Sequence, residues 1–308
     1  MEFGIYLSFR SAAADRPWAR IYREGLGQIA LAEQLGFDAV WLTEHHFVDD
    51  GYSPSVLPLA AAAAVRTEKI DIGTYIALLP LYHPVRLAED AATVDVLSNG
   101  RFILGLSAGY VRAEFDGLGI PFADRGSRCD EALEVLRGCW SQDRFTFHGH
   151  HFDLEGVSVT PKPVQQPHPR IFYGGASPGG RRRAAWVKQH MHWYREPELL
   201  WLYVGTDDDS AWAEWGAAAS YVHHRYRDWT IASGGDWWGP DPRAHFIAGS
   251  PATARRAIEQ QLGGFRQRRP EDGPTTHIVL GMALPGVPDD LVRRSMQLFA
   301  REVMPAFR

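Results

Sequence analysis

The chain has 308 residues, 45% of them hydrophobic and 22% charged, with a formal net charge of −5. That length suits two small domains or one large α/β domain, and the apolar content is enough for a large core. No basic run is longer than Arg181-Arg182-Arg183, and the apolar run Leu59–Val65 is far too short to cross a bilayer, so neither nucleic acid nor a membrane is expected as a partner.

Strand-like and helix-like patterns alternate from the first residue. Met1 to Tyr6 begins as a strand rather than a secretion signal, and the two cysteines, Cys129 and Cys139, fall in one predicted helix as reduced thiols; a cytoplasmic location is expected. Phe3–Ser8 reads as a strand and Ile21–Leu35 as a helix closed by Gly36. Asp38–Thr43 is the second strand, followed by the alanine-rich helix Ser53–Arg66. Ile70–Ala77 is the third strand, and Pro84–Leu97 a helix stopped by Asn99-Gly100. Phe102–Ser107 is the fourth strand and Arg125–Gln142 its helix.

An insertion from about 144 to 169 follows. Its first part looks like a hairpin around His148-Gly149-His150, and Pro161–Pro169 must run extended because proline excludes helix and restricts its predecessor. His148, His150 and His151 are candidate metal ligands or a solvated turn, the second being the commoner use of such a cluster. Arg170–Gly174 is the fifth strand, with a helix from about 180 to 187.

Leu199–Val204 is the next clear strand, then a helix over Ser210–Ser233, a strand over His277–Met282 and a last helix over Asp289–Met304. Repeated βα units with apolar strands favour a parallel sheet covered by helices. A closed (β/α)8 barrel fits better than an open doubly wound sheet, because Leu7-Ser8-Phe9-Arg10 has no glycine fingerprint after the first strand. One unit does not fit. Met191–Tyr194 could be a sixth strand, but Arg195–Glu198 is too short for a helical crossover, so the stretch from about 186 to 198 is expected to be shortened or irregular. Tryptophan is concentrated nearby, at Trp186, Trp193, Trp201, Trp212, Trp215, Trp229, Trp237 and Trp238. Core packing and cover for the gap are both open as explanations.

In a barrel, chemistry collects at the C-terminal ends of the strands. Strand two ends in Glu44-His45-His46-Phe47, three titratable groups and an aromatic, poor material for a core. Histidine exchanges protons near neutral pH, and Glu44 beside the pair could set a tautomer or raise a pKa. Strand four ends in Ser107-Ala108-Gly109, small residues that leave room for a flat ligand. Strand five ends in Gly174-Gly175-Ala176-Ser177 before a helix, where unpaired N–H groups and the helix dipole suit a phosphate. Each turn taken alone is also explained by ordinary chain reversal. A zinc site from His45, His46 and His83 lacks ligand spacing, so no metal is expected. Ser107 has no Gly-x-Ser-x-Gly context, which argues against a serine hydrolase.

Taken together, these strings resemble one family. Leu35–Phe47, Gly73–Arg86, Glu89–Phe102, Arg125–Glu131, Pro161–Pro169 and Gly174–Pro178, in that order, are similar to segments of the bacterial luciferase-like superfamily of flavin-dependent oxidoreductases. The resemblance covers residues 1 to about 180 and resumes at about 199. It implies a single barrel domain over 1–308 that binds FMN, or the deazaflavin F420, at its C-terminal mouth. It places a catalytic histidine at His45, assisted by Glu44 and His46. It also places a non-prolyl cis peptide at Tyr75-Ile76 under the flavin, the ring against Ser107, Ala108 and Gly109, and the phosphate at Gly174, Gly175, Ala176 and Ser177.

The expected activity is oxidation of a small, apolar organic substrate with oxygen and reduced FMN supplied by a separate reductase. An F420-dependent dehydrogenase and a non-catalytic flavin-binding homologue are the alternatives on this scaffold. A homodimer is expected from the resemblance alone. Ser107 and Ala108 stand where luciferase carries a reactive cysteine and an arginine, so one phosphate partner is missing and light emission is not implied.

Overall fold

The apolar runs fold as strands and the 3.6-period runs as helices in a computed structural model that describes residues 1–12, 16–235, 238–268 and 276–308. In chain order these are β1 (Glu2–Leu7), α1 (Trp18–Gln34), β2 (Ala39–Leu42), α2 (Val56–Arg66), β3 (Asp71–Thr74), β4 (Ala77–Leu78), α3 (Pro84–Ser98), β5 (Phe102–Ser107), α4 (Arg112–Gly117) and α5 (Arg125–Ser141). The hairpin β6 (Phe145–His148) and β7 (Asp153–Val157) follows, then β8 (Arg170–Tyr173), α6 (Pro178–His190), β9 (Glu198–Val204), α7 (Asp208–Ala232), β10 (Phe246–Gly249), α8 (Pro251–Arg268), β11 (His277–Leu280) and α9 (Asp289–Leu298). The chain divides into two compact units, one of Met1–Trp41, Val48–Ser53 and Pro197–Arg308, the other of Leu42–Phe47 and Pro54–Glu196.

In the first unit the strands lie in the order β10-β9-β11-β1-β2, and β1–β11, β11–β9 and β9–β10 pair in parallel. Their bodies are buried on both faces, as continuous apolar parallel strands must be. β9 is the spatial neighbour of both β10 and β11, although β10 lies between them in sequence. Trp215 donates its indole N–H to the Met282 carbonyl at 3.0 Å, and Trp201 stacks on Phe246 at 5.1 Å. Core packing therefore accounts for these two tryptophans. Trp237 lies outside the described residues.

In the second unit β5 pairs in parallel with β3, β4 and β8, and α3 packs on α2 and α5. The third strand does not run unbroken over Ile70–Ala77. It stops at Thr74, passes through a cis Tyr75–Ile76 peptide and resumes at Ala77. Thr74 fastens this break: its hydroxyl donates to the Gly105 carbonyl at 2.7 Å and accepts from the Gly105 N–H at 2.9 Å. Gly105 has to be glycine, because a Cβ there would lie 2.2 Å from the Thr74 carbonyl oxygen and 2.3 Å from the Phe172 ring.

Asn99 and Gly100 end α3 in the left-handed conformation, at φ 54° and 82°. The proline-rich segment after the hairpin is pinned by the buried Asp95 carboxylate, which accepts the backbone N–H and the side-chain amide of Gln165.

The shortened stretch is narrower than the expected 186–198, because α6 continues to His190 and only the residues up to β9 are irregular. Between α6 and β9 the chain makes one parallel bridge, Ile171 to Trp193, and residues 191–197, all described, form no helix. The repeat that pattern reading does not mark is β10 with α8. Its strand is only Phe246-Ile-Ala-Gly249, too short to stand out.

Candidate active site

Every predicted site residue, from Glu44 to Ser177, lies in the second unit. Strand register sets the rows: Leu106 is opposite Ala77 on one side and Tyr173 on the other, and Ser107 is opposite Leu78. The ends of β4, β5 and β8 therefore sit side by side, with Ser107-Ala108-Gly109 and Gly174-Gly175 next to each other and Tyr75-Ile76 at the entry to β4. Gly174 is held by its N–H on the Leu106 carbonyl at 2.8 Å, and a Cβ on it would lie 2.6 Å from the end of Ile76. Tyr75, Ile76, Ser107, Ala108 and Gly109 are partly exposed, whereas the strand bodies behind them are buried.

The end of β2 is tied to this row by Glu44. Its buried carboxylate accepts from the Leu78 N–H at 2.8 Å, from the Tyr82 hydroxyl at 2.6 Å and from His46 Nε2 at 2.9 Å. Three donors use the lone pairs of one carboxylate, so Glu44 holds its neighbours in place. Burial, followed by the charge of Glu44 and the hydrogen bond to it, raises the Tyr82 phenol well above its ordinary value, so it stays a donor. Burial would lower the His46 imidazole, but the hydrogen bond to Glu44 and the charges of Glu44 and Glu114 outweigh it and raise the proton affinity.

Glu114, on α4, is the functional candidate that pattern reading missed. It is 0% exposed. One oxygen, Oε1, lies 2.8 Å from His45 Nδ1 and accepts the His46 backbone N–H at 2.9 Å; Oε2 is buried without a partner. A carboxylate can only accept, so Nδ1 of His45 carries the proton and Nε2 is the basic atom of the ring. His45 faces the edge of Tyr110, the residue after the Ser107–Gly109 turn, at 6.1 Å. A signal for Glu114 was present: Val111, Glu114 and Phe115 share one helix face, and Phe115 is fully buried, so an acid there points inward.

The glycine-rich turn opens α6. Ser177 caps the helix by accepting the Gly180 N–H at 3.1 Å, Gly175 takes φ 136°, and Gly175–Ser177 are exposed. Arg181 folds back to donate to the Ala176 carbonyl at 2.6 Å, which brings a cation to the turn. A carboxylate of opposite sign is also close, since a Cβ on Gly174 would lie 2.9 Å from Glu196 Oε1.

Other candidates fall away from this row. His83 is exposed and packs edge-on against Phe152 at 5.7 Å. In the hairpin, His148 pairs with Asp153 at 2.6 Å and His151 with Ser127 at 2.7 Å. Cys129 and Cys139 are buried free thiols whose pKa burial pushes up to about 11, which makes them inert.

The sequence profile of luciferase-like monooxygenases matches residues 1–198. The chain belongs to the luciferase-like monooxygenase family. Among curated proteins, this luciferase-like chain is 33% identical over 185 residues to an FMNH2-dependent dimethylsulfone monooxygenase of Pseudomonas putida, covering 58% of this chain and 48% of that protein. It is 33% identical over 166 residues to an F420-dependent glucose-6-phosphate dehydrogenase of Microbacterium testaceum, covering 52% and 48%. The chain spans about half the length of the curated relatives it matches.

Among solved structures, monooxygenase RslO1 of Streptomyces bottropensis superposes with a TM-score of 0.80 at 26% identity over 100% of both chains. The fold class is the α/β, TIM-type (β/α)8 barrel of luciferase-like proteins. No helix among the described residues is long and apolar enough to cross a membrane.

Proposed function

We propose that this luciferase-like chain is a flavin-dependent oxidoreductase, and specifically a monooxygenase that uses reduced FMN and O2 to oxidise a small, apolar organic molecule. The observation that carries the reading is the buried Glu114 carboxylate holding His45 Nδ1 at 2.8 Å beside a row of small, partly exposed strand-end residues. The residues fit a flavin. The turn Ser107-Ala108-Gly109 offers a face without bulky side chains, the Ile76 side chain reaches the Gly174 position, and the exposed turn at the start of α6 offers N–H groups and Arg181 to a phosphate. Bound reduced flavin supplies the electrons and the site of oxygen activation.

The chain's own part is positioning and proton handling. Glu114 fixes the ring of His45 and its tautomer, so that Nε2 takes up or gives the proton. Glu44 keeps His46, Tyr82 and Leu78, the last residue of β4, in register. Residues that would contact the ring are Tyr75, Ile76, Ser107, Ala108 and Gly109; those for the phosphate are Gly174, Gly175, Ala176 and Ser177. A separate reductase supplying reduced flavin, a homodimeric state and a cytoplasmic location belong to the same reading.

An F420-dependent dehydrogenase is the second reading, favoured by the relative of that name in Microbacterium testaceum. Anaerobic titration of the protein with reduced FMN and, separately, reduced F420, followed by fluorescence, decides between them. Tighter binding of reduced FMN supports the monooxygenase. Preference for F420 moves the reading to hydride transfer, and binding of neither overturns both.

A further inference from the structure

The first unit contains a histidine pair that the site above does not use. His223, on α7, is 0% exposed. Its Nε2 lies 3.2 Å from the Trp238 carbonyl oxygen, and His245 Nε2 lies 2.6 Å from the same oxygen. A carbonyl only accepts, so both rings donate through Nε2–H, and in the neutral form each Nδ1 is a bare lone pair. For His223 that Nδ1 is buried with no hydrogen-bond partner.

The indole of Trp238, held by its own carbonyl, stacks on Tyr226 with centroids 5.4 Å apart and planes at 20°. The Tyr226 hydroxyl closes a triangle with Tyr6 and Tyr52, at 2.8 and 2.9 Å, the third side being 2.5 Å. Two imidazoles on one carbonyl therefore keep an indole over a hub of three phenols, two of them buried.

We propose that His223, His245 and the Trp238 carbonyl form an acid-sensitive latch that seats Trp238 on Tyr226 near neutral pH and releases it when His223 takes up a proton. Proton uptake by His223 turns its Nδ1 lone pair into a buried N–H with nothing to accept it, a costly arrangement. It also places a positive charge beside the His245 ring, whose centroid is 5.8 Å away and whose Nε2–H already points at the shared carbonyl. The titratable or charged groups facing His223 are His224 and Arg227 on its own helix and His245 on the segment in front, while β10 presents the Phe246 ring. None of these is a carboxylate, so among the described residues nothing facing His223 offsets an added positive charge.

Burial lowers the His223 proton affinity, and the neighbouring histidines and Arg227 lower it further against the raising effect of the Trp238 carbonyl. The sign follows: the latched state is favoured above the ordinary imidazole value of about 6.5 and is lost as pH falls below it.

The test is the tryptophan emission of the wild-type chain minus that of Trp238→Phe, recorded from pH 8 to 5 without cofactor. A reversible change setting in below about pH 6.5, with unchanged far-UV circular dichroism, is expected. It should vanish in the double variant His223→Gln, His245→Gln, whose amides still donate but do not titrate. A flat difference signal, or a transition that survives in a folded double variant, overturns the latch.

Hydrogen exchange of the wild-type chain gives a reading that does not depend on the variants folding. Amides in residues 238–246, corrected for intrinsic rate, should open up to about tenfold more per pH unit, the limit for one proton. If they open only together with the rest of the chain, the proposal fails. Because no flavin is present, the result is independent of the flavin titration.

Discussion

Paired histidines occur at the end of β2 and on the face of α7, and the two regions tune the same side chain in opposite directions. His45 and His46 each meet a buried carboxylate, Glu114 and Glu44 respectively. His223 and His245 instead share one neutral carbonyl. The result is a raised proton affinity at His46 and a lowered one at His223. Burial alone does not decide the direction, since it pushes both imidazoles down. What decides is whether a negative charge was buried with them. The β2 end is built to hold a proton, and the α7 face is built to keep one out.

Removing a carboxylate from the first region is the strongest way to break this contrast. Glu114→Ala would remove the acceptor of His45 Nδ1–H and of the His46 backbone N–H, and is expected to cost about 2–4 kcal/mol. Urea unfolding reads this directly. Glu114→Gln, which keeps one amide oxygen, should cost clearly less. A midpoint for Glu114→Ala equal to wild type would show that the carboxylate is not the anchor of the β2 end. The corresponding deletion in the other region is milder. Tyr6→Phe removes one phenol from the triangle, but Tyr52 and Tyr226 still pair at 2.9 Å, so a loss of about 1–2 kcal/mol is expected in thermal unfolding. A loss as large as that of Glu114→Ala would make the phenol hub the more demanding of the two clusters.

The regions also differ in how far their sequence could be read. The strings Glu44-His45-His46, Ser107-Ala108-Gly109 and Gly174–Ser177 are contiguous and sit at the ends of apolar strands, so strand patterning alone delivers them to one edge. Glu114 is 69 positions from His45, in a six-residue helix, and only tertiary placement joins them. Strand patterning marks no break after Thr74, because neither cis residue is a proline; the cis Tyr75–Ile76 peptide was legible only through the family resemblance. In the C-terminal part β10 is four residues long, and β9 lies beside β11, so counting repeats along the chain could place neither. His223 and His245 meet only because both reach one backbone carbonyl, a partner that no side-chain pattern marks. Local chemistry was legible wherever its partners were local.

The smallest effect gives the sharpest contrast, because it depends on sign rather than size. The His46 pKa is raised on folding, so the His46–Glu44 interaction contributes stability in full below the ordinary imidazole value of about 6.5 and loses it as pH rises through the raised folded value. His46→Gln should therefore destabilise the chain by about 1 kcal/mol near pH 5.5 and by less near pH 9. His223 behaves oppositely, its neutral form being favoured on folding, so His223→Gln should relieve a penalty at acid pH that it does not relieve at pH 8. Urea midpoints for the two variants and wild type across this range would cross in opposite senses. Parallel curves would mean that the carboxylates at β2 and the carbonyl at α7 do not set the proton affinities of the rings they touch.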